Sequence, residues 1–210
     1  MPDRGTHMTT SGFGAKPAVL RCGRCGKSVD WQDARLQVVC GCRPRLDLPP
    51  VVVREASPVD REKALELFRR DFGPAQLVAY GEAIFLDDAA ALVAETEGEI
   101  SGALAWRPFD GALHILALAT DPRWQRAGVG GHLVAEAEEL ARRQGVSRVI
   151  VTIANDNLPA LYFYQRHAYR LSAILRDSIA AHTPGQRVAG FAGIPILDEL
   201  QLAKDLRDDG

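Results

Sequence analysis

A glycine-rich turn between an apolar strand and a strongly amphipathic helix constrains this chain more than any other segment. Leu113–Thr120 has the composition of a strand, and His132–Gln144 has helical periodicity. The apolar face of the helix comprises Leu133, Val134, Ala137, Leu140 and Ala141. Gly128, Gly130 and Gly131 lie between the two elements. Such a turn exposes backbone N–H groups at the positive end of a helix, so the sequence predicts a phosphate or pyrophosphate site.

Two common phosphate-binding turns do not fit these residues. A P-loop needs Gly-Lys and then Ser or Thr at the start of the helix, whereas Gly131 is followed by His132 and Leu133. A dinucleotide-binding turn needs a third glycine where Leu133 stands. It also needs an acidic residue at the end of the next strand, where Ile153 and Ala154 lie. Both classes are therefore excluded.

Two sequence patterns instead occur in a recognisable order. Residues 125–130 read Q-x-x-G-x-G, and residues 157–169 read N-L-P-A-L-Y-F-Y-Q-R-H-A-Y. Together they resemble the acyl-CoA-binding signatures of the GNAT superfamily of N-acyltransferases. The chain departs from the usual pattern at Ala168, where glycine is common, and at Tyr169, where phenylalanine is common. The resemblance covers roughly residues 51–204.

The resemblance implies an α/β fold: a mixed, mostly antiparallel sheet with a central splayed parallel strand pair, flanked by helices. Leu113–Thr120 and Arg148–Ile153 would be the parallel pair, and the pantetheine arm of acetyl-CoA, the implied cosubstrate, would lie in the opening between them. Asn157 would touch that arm. The residues implied to bind the cosubstrate are Leu118, Ala119, Thr120, Gln125, Arg126, Ala127, Gly128, Val129, Gly130, Gly131, Asn157 and Tyr164.

The chemistry implied by the family is direct attack of an acceptor amine on the thioester, which needs an acid and a base. Tyr164 matches the family's tyrosine and is the candidate acid for the departing thiolate. His114 is the candidate base because imidazole titrates near neutral pH, and strand alternation would place it in phase with Leu118. Glu82 and a chain of water molecules are the alternatives. Packing in the core would also explain the presence of Tyr164 and His114.

The sequence says less about the acceptor amine than about the acyl-CoA donor. A small molecule or a protein amine is compatible with the sequence, and so are a homodimer and any acyl chain length. Phe68, Phe72 and Tyr80 are candidate walls of the acceptor pocket by family position, and core packing explains them equally well. The rival function is a non-catalytic adaptor that senses acyl-CoA, although the intact motif residues argue against it.

All four cysteines lie near the N-terminus, as Cys22 and Cys25 in C-x-x-C and Cys40 and Cys42 in C-x-C. Four thiolates at this spacing can form one structural zinc site. The arrangement resembles a zinc ribbon, although the second pair of a ribbon is usually C-x-x-C. Two disulfides or a redox dithiol are the alternatives. A ribbon could contact a protein or a nucleic acid.

The chain divides at the consecutive prolines Pro49 and Pro50, which disfavour helix and central strand. We expect a disordered tail over 1–18, a zinc-ribbon-like domain over 19–48 and an acyltransferase domain over 51–205. Residues 1–50 carry eight Lys/Arg and four Asp/Glu. Since the whole chain has a net charge of −2, the remainder carries six excess negative charges. This asymmetry supports the division.

Other segments receive weaker assignments. Val59–Arg70 predicts a helix, Pro74–Tyr80 a weaker one, and Tyr169–Ile179 a strand. No apolar run reaches the length that a membrane-spanning helix needs, and the N-terminus lacks a secretory pattern. We therefore expect a cytoplasmic protein.

The cysteine pattern predicts that purified, reduced protein binds about one zinc ion per chain. Cys22→Ser should abolish zinc binding and leave CoA binding unchanged, because Pro49 and Pro50 separate two independent cores. Elemental analysis and calorimetry measure these two quantities. Zinc-free protein in a fresh reduced preparation would contradict the site, and loss of CoA affinity in the variant would contradict the domain division.

Overall fold

The computed structural model of the chain describes residues 49–73, 76–185 and 188–207. The segments predicted as a tail and a zinc ribbon, with all four cysteines, lie outside these residues. Within the described ranges, no helix has both the length and the apolar character that crossing a bilayer requires.

Five consecutive strands follow the first helix, and strands and helices alternate after them. The strands are β1 Val51–Glu55, β2 Gln76–Ala79, β3 Glu82–Phe85, β4 Ala90–Thr96, β5 Glu99–Phe109, β6 Ala112–Thr120, β7 Arg148–Ala154, β8 Arg170–Leu175 and β9 Glu199–Asp205. The helices are α1 Pro58–Phe72, α2 Val129–Arg143, α3 Leu158–Arg166 and α4 Ser178–His182, with 3₁₀ turns at Pro122–Trp124 and Phe191–Gly193.

Seven strands form one sheet in the order β1-β4-β5-β6-β7-β9-β8, and β2 and β3 form a separate hairpin. Strands β6 and β7 pair in parallel, whereas the other neighbours in this sheet pair antiparallel. The predicted mixed, mostly antiparallel sheet with a central parallel pair is therefore confirmed. The position of this pair matters because it places two carboxyl strand ends side by side in the middle of the sheet.

The sheet buries a different set of helices on each face. One core joins α2 and α3 to the sheet, and its fully buried members include Leu92, Leu104, Ile115, Leu133, Val134 and Leu202. The other core joins α1 and the β2–β3 hairpin to the sheet through Leu67, Phe68, Ile84, Val93, Ala103 and Ala117. Phe68 is 2% exposed and belongs to this core, while Phe72 is 39% exposed.

Two of the predicted elements are wrong. The helix predicted over Pro74–Tyr80 is replaced by β2, because the apolar residues there are too few to distinguish the two periodicities. Tyr80 and Gly81 then form a two-residue turn into β3, which the sequence did not predict. The strand predicted over Tyr169–Ile179 stops at Leu175, and α4 follows it.

The residue after the C-cap of α3 has a conformation that explains one departure from the family pattern. Ala168 has φ 65°, in the left-handed region where glycine carries no steric penalty. Gly145, beyond the C-terminus of α2, has the similar φ of 72°, and an added Cβ there would meet nothing within 4 Å. The chain therefore keeps glycine at the end of α2 and replaces it at the end of α3.

Exchanging these residue types should change stability in opposite directions. Ala168→Gly should raise the free energy of unfolding by up to about 1 kcal/mol, because relief of the left-handed strain exceeds the added freedom of the unfolded chain. Gly145→Ala should lower it by about 1 kcal/mol for the converse reason. Urea unfolding with an unchanged m-value measures both. Destabilisation by Ala168→Gly would show that the methyl group contributes packing that outweighs the strain.

Candidate active site

Strands β6 and β7 pair only near their amino ends. Their last paired residues are Ile115 and Val151, and beyond them residues 116–120 and 152–154 face an opening. The register of β6 against β5 shifts by one residue at the same level, which leaves Leu116 as an extra residue in a β-bulge. A bulge bends its strand, so it accounts for the separation of β6 from β7.

The bulge also changes which face each side chain of β6 occupies. His114 lies beside Tyr80 and Leu116 packs in the core of α1, whereas Leu118 packs against the core of α2. The predicted common phase of His114 and Leu118 is therefore wrong. An inserted residue reverses the alternation of every side chain that follows it.

The glycine-rich turn leads directly into α2, whose N-cap residue is Gly128. This residue has φ 90° and ψ −4°, a left-handed conformation, and it is exposed. Glycine has no side chain that could accept hydrogen bonds from the first turn of the helix. Within the part of the chain that the structure describes, the N–H groups of residues 129–131 therefore have no side-chain cap and are donors at the positive end of the helix dipole.

The other long helices begin differently. In α1, the carboxylate of Asp60 accepts a hydrogen bond from the Ser57 N–H at 2.8 Å. In α3, Oδ1 of Asn157 accepts one from the Ala160 N–H at 3.1 Å. Asn157 is thus the N-cap of α3, which leaves its Nδ2 group for the predicted contact with a pantetheine arm. Of these three helices, α2 alone presents an N-terminus without a side-chain cap.

Glycines also determine how closely α2 packs against α3 and the sheet. A Cβ at Gly130 would lie 3.4 Å from the Phe163 ring, and one at Gly131 would lie 3.1 Å from Nε2 of His167. A Cβ at Gly102, on β5, would lie 2.7 Å from Val129. Gly102 therefore allows the start of α2 to approach the sheet closely. Sequence reasoning missed this residue, whose only signal is a glycine within a strand.

The remaining residues predicted to bind the cosubstrate surround this helix end. Gln125 and Arg126 are exposed on the turn, and Arg126 has φ 67°. Ala127 and Leu118 are partly buried against the α2 core, while Ala119 lies in the core on the opposite face. The structure thus brings the start of α2, the end of β6 and the second half of α3 together, through Gly130, Leu118 and Phe163.

Tyr164 projects from α3 into the core and is 3% exposed. Its ring contacts Phe163 at 5.0 Å and Tyr169 at 5.4 Å between centroids. Its hydroxyl has no hydrogen-bond partner among the described residues. Burial raises the pKa of Tyr164 well above its ordinary value, so the phenol keeps its proton at neutral pH.

His114 is enclosed by rings. Its imidazole lies 4.4 Å from the ring of Tyr80 and 5.5 Å from that of Phe109, between centroids. Both ring nitrogens are buried without a hydrogen-bond partner among the described residues. Burial and then the nearby Arg107 lower the pKa of His114, so the ring is neutral at pH 7. Glu82, the alternative base, is exposed and lies 3.4 Å from Arg107.

Two further polar groups lie at the opening: Tyr80, which the sequence suggested only as a wall of the acceptor pocket, and Glu199, to which sequence reasoning gave no role. The hydroxyl of Tyr80 lies 2.8 Å from the carbonyl oxygen of Ile115 on β6 and 3.1 Å from that of Ile150 on β7. Glu199, on β9, is 1% exposed and accepts a hydrogen bond from the Gly81 N–H at 2.7 Å. Gly81 after Tyr80 is the one local feature of the sequence that indicates the turn between β2 and β3.

Comparison with known proteins agrees with this geometry. The acetyltransferase (GNAT) family profile matches residues 61–169. The chain is 26% identical over 153 residues to the uncharacterized protein YxbD of Bacillus subtilis, covering 71% of this chain and 95% of that protein.

Solved structures show the same fold. An acetyltransferase of Bacillus subtilis in complex with CoA has a TM-score of 0.59 and 18% identity, covering 75% of this chain and 99% of that one. The IAA acetyltransferase from Bacillus cereus has a TM-score of 0.58 and 21% identity, covering 75% and 100%. Since the family match spans just over half of the chain and includes both the uncapped helix and Tyr164, the chain belongs to the acetyltransferase (GNAT) family and is an acetyl-CoA-dependent acetyltransferase.

Proposed function

We propose that the chain transfers the acetyl group of acetyl-CoA to the amino group of an acceptor, by direct attack within a ternary complex. The observation that carries the proposal is the uncapped N-terminus of α2 beside the opening between β6 and β7. Buried polar groups need partners, and a helix end with three free N–H donors suits an anion such as pyrophosphate.

The residues present fit the cosubstrate. The N–H groups of residues 129–131 would bind the pyrophosphate, and the exposed Gln125 and Arg126 border the same turn. The main-chain groups of residues 116–119 that face the opening would pair with the amide groups of the pantetheine arm, as a neighbouring strand would. The Thr120 carbonyl oxygen already accepts a hydrogen bond from the Arg70 guanidinium at 2.8 Å. Nδ2 of Asn157 is the further donor at the start of α3.

The bound cosubstrate supplies a thioester, whose carbonyl carbon accepts the acceptor nitrogen. A C–N bond forms, the C–S bond breaks, one proton leaves the acceptor nitrogen and one joins the sulfur. Tyr164 is the proposed donor of the second proton. It remains protonated at neutral pH and its hydroxyl makes no hydrogen bond to the described residues that would compete.

His114 is the proposed acceptor of the first proton. Its pKa is lowered by burial and by Arg107, so it can accept a proton at pH 7. Because both ring nitrogens are enclosed, the proton would reach His114 after a movement of Phe109, which is 54% exposed. Glu82 is the exposed alternative, and a water chain is the other.

The acceptor is a small-molecule or protein amine. We further propose that residues 19–48 form a zinc ribbon through Cys22, Cys25, Cys40 and Cys42, which contacts a protein or a nucleic acid. Residues 51–205 would then be the catalytic domain. Homodimer formation and a cytoplasmic location are retained as proposals.

Release of CoA thiol on addition of amines tests the enzyme against the adaptor. A thiol reagent such as DTNB detects each turnover with acetyl-CoA, and an amine panel identifies the acceptor class. Turnover above the rate without amine supports transfer. Tight binding of acetyl-CoA with no release across the whole panel would favour the adaptor.

Substitution at the helix N-cap tests the pyrophosphate site. Gly128→Ala should weaken CoA binding at least ~10-fold, because an L-residue resists φ 90° and shifts the N–H donors. Gly145→Ala is the matched control, since it strains a left-handed residue beyond the other end of the same helix, which is about 22 Å long. Calorimetry should show unchanged affinity in the control. Equal affinities in both variants would refute this placement of the phosphates.

Tyr164→Phe tests the acid while keeping the ring. Turnover should fall ~10²–10⁴-fold with CoA affinity nearly unchanged, the range for general acid–base residues. Tyr169→Phe is the matched control, because its buried hydroxyl has no well-aligned hydrogen-bond partner among the described residues and phenylalanine is usual there. Since the raised pKa keeps Tyr164 protonated, the wild type should show no loss of turnover from this group below pH 10. Full activity of Tyr164→Phe would return Tyr164 to a packing role.

A further inference from the structure

The turn between β2 and β3 holds a bulky residue in an unfavourable conformation. Ala79 pairs with Glu82, so Tyr80 and Gly81 alone form the turn, with φ of 60° and 73°. Positive φ at both central residues defines a type I′ turn, in which Asn-Gly is preferred. A left-handed tyrosine costs roughly 1–2 kcal/mol, and such strain persists where the surroundings over-determine it.

The hydroxyl of Tyr80 is located where the two parallel strands part. It lies 2.8 Å from the Ile115 carbonyl oxygen on β6 and 3.1 Å from the Ile150 carbonyl oxygen on β7. Ile115 and Val151 are the last paired residues, so this oxygen lies across the narrow end of the opening. Its one proton can be donated to one carbonyl at a time.

Contacts on several sides fix this position. The Gly81 N–H donates to Oε2 of Glu199 at 2.7 Å, and Glu199 lies on β9 opposite Ala154 of β7. The Tyr80 ring packs on His114 at 4.4 Å between centroids, and the Arg107 guanidinium lies 5.9 Å from its centre. The turn is therefore fastened to the same sheet that its tyrosine enters, through a carboxylate that is 1% exposed.

We propose that Tyr80 is the end wall of the acyl site and restricts the cosubstrate to short acyl groups. The inference rests on the proposed function, in which the thioester end of the cosubstrate lies in the opening between β6 and β7. A longer acyl chain would have to displace the Tyr80 ring from His114, or separate the Tyr80 hydroxyl from the carbonyl oxygens of β6 and β7. In an apolar pocket, one methylene group changes discrimination by roughly 10–200-fold. Tyr80 is thus assigned to the donor side, rather than to the acceptor pocket.

The test is the affinity of the full chain for CoA, acetyl-CoA, propionyl-CoA and butyryl-CoA, measured by calorimetry without an acceptor. Tyr80→Gly and Tyr80→Asn both suit a type I′ turn and remove the ring, so they relieve strain while they open the wall. Phe85→Ala is the matched control, because Phe85 is 59% exposed and lies at the far end of the same hairpin. Circular dichroism checks the fold of each variant.

The wild type and Phe85→Ala should bind butyryl-CoA at least ~10-fold more weakly than acetyl-CoA. Both Tyr80 variants should reduce that ratio at least ~10-fold and bind CoA itself within about threefold of the wild type. A wild type that binds butyryl-CoA as tightly as acetyl-CoA would overturn the inference. So would an unchanged ratio in either folded Tyr80 variant that still binds CoA. Failure of the wild type to bind CoA at all would instead overturn the proposed function, and with it the role of Tyr80 as the end wall of the acyl site.

Discussion

The interruption of pairing between β6 and β7 is the constraint on which the rest of the structure depends. Pairing stops after Ile115 because the bulge at Leu116 bends β6 away from β7. Two strands in the middle of a sheet then carry main-chain groups that no neighbouring strand satisfies, at a cost of about 1–3 kcal/mol for each one that is buried. At one end of the opening, the Tyr80 hydroxyl donates a hydrogen bond to these main-chain groups. The rest forms a slot lined by hydrogen-bonding groups, which suits an extended amide-containing arm.

The uncapped N-terminus of α2 places the positive end of a helix dipole beside this slot. Helix α2 packs closely on the sheet because Gly102 leaves room for Val129, and its apolar face is almost fully buried. This packing fixes the axis of the helix, and therefore the direction of its free N–H groups, without help from any ligand. A site whose donors are already oriented loses little entropy on binding. The same close packing explains the absence of side chains at Gly130 and Gly131, where a Cβ would approach Phe163 and His167.

Burial sets the protonation states at the opening. A low-dielectric environment disfavours the charged form of any group, so it raises the pKa of Tyr80 and Tyr164 and lowers that of His114. The phenols therefore keep their protons and the imidazole remains neutral at pH 7. These are the states that a proton donor and a proton acceptor need before the reaction. Arg107 reinforces the effect at His114, because a second positive charge beside it would be repelled.

The sequence by itself determined the strand, turn and helix around Gly128 and the match of residues 157–169 to the family pattern, and that resemblance implied the parallel pair of β6 and β7. These features are local, since each depends on residues within one or two turns or strands. Tertiary structure alone decided the β2–β3 hairpin, the reversed phase after Leu116 and the meeting of Gly81 with Glu199. The last two residues are 118 positions apart, so no local periodicity relates them. Their contact exists because the folded sheet places β9 beside β7, and only that arrangement brings the Tyr80 hydroxyl to the parting of β6 and β7.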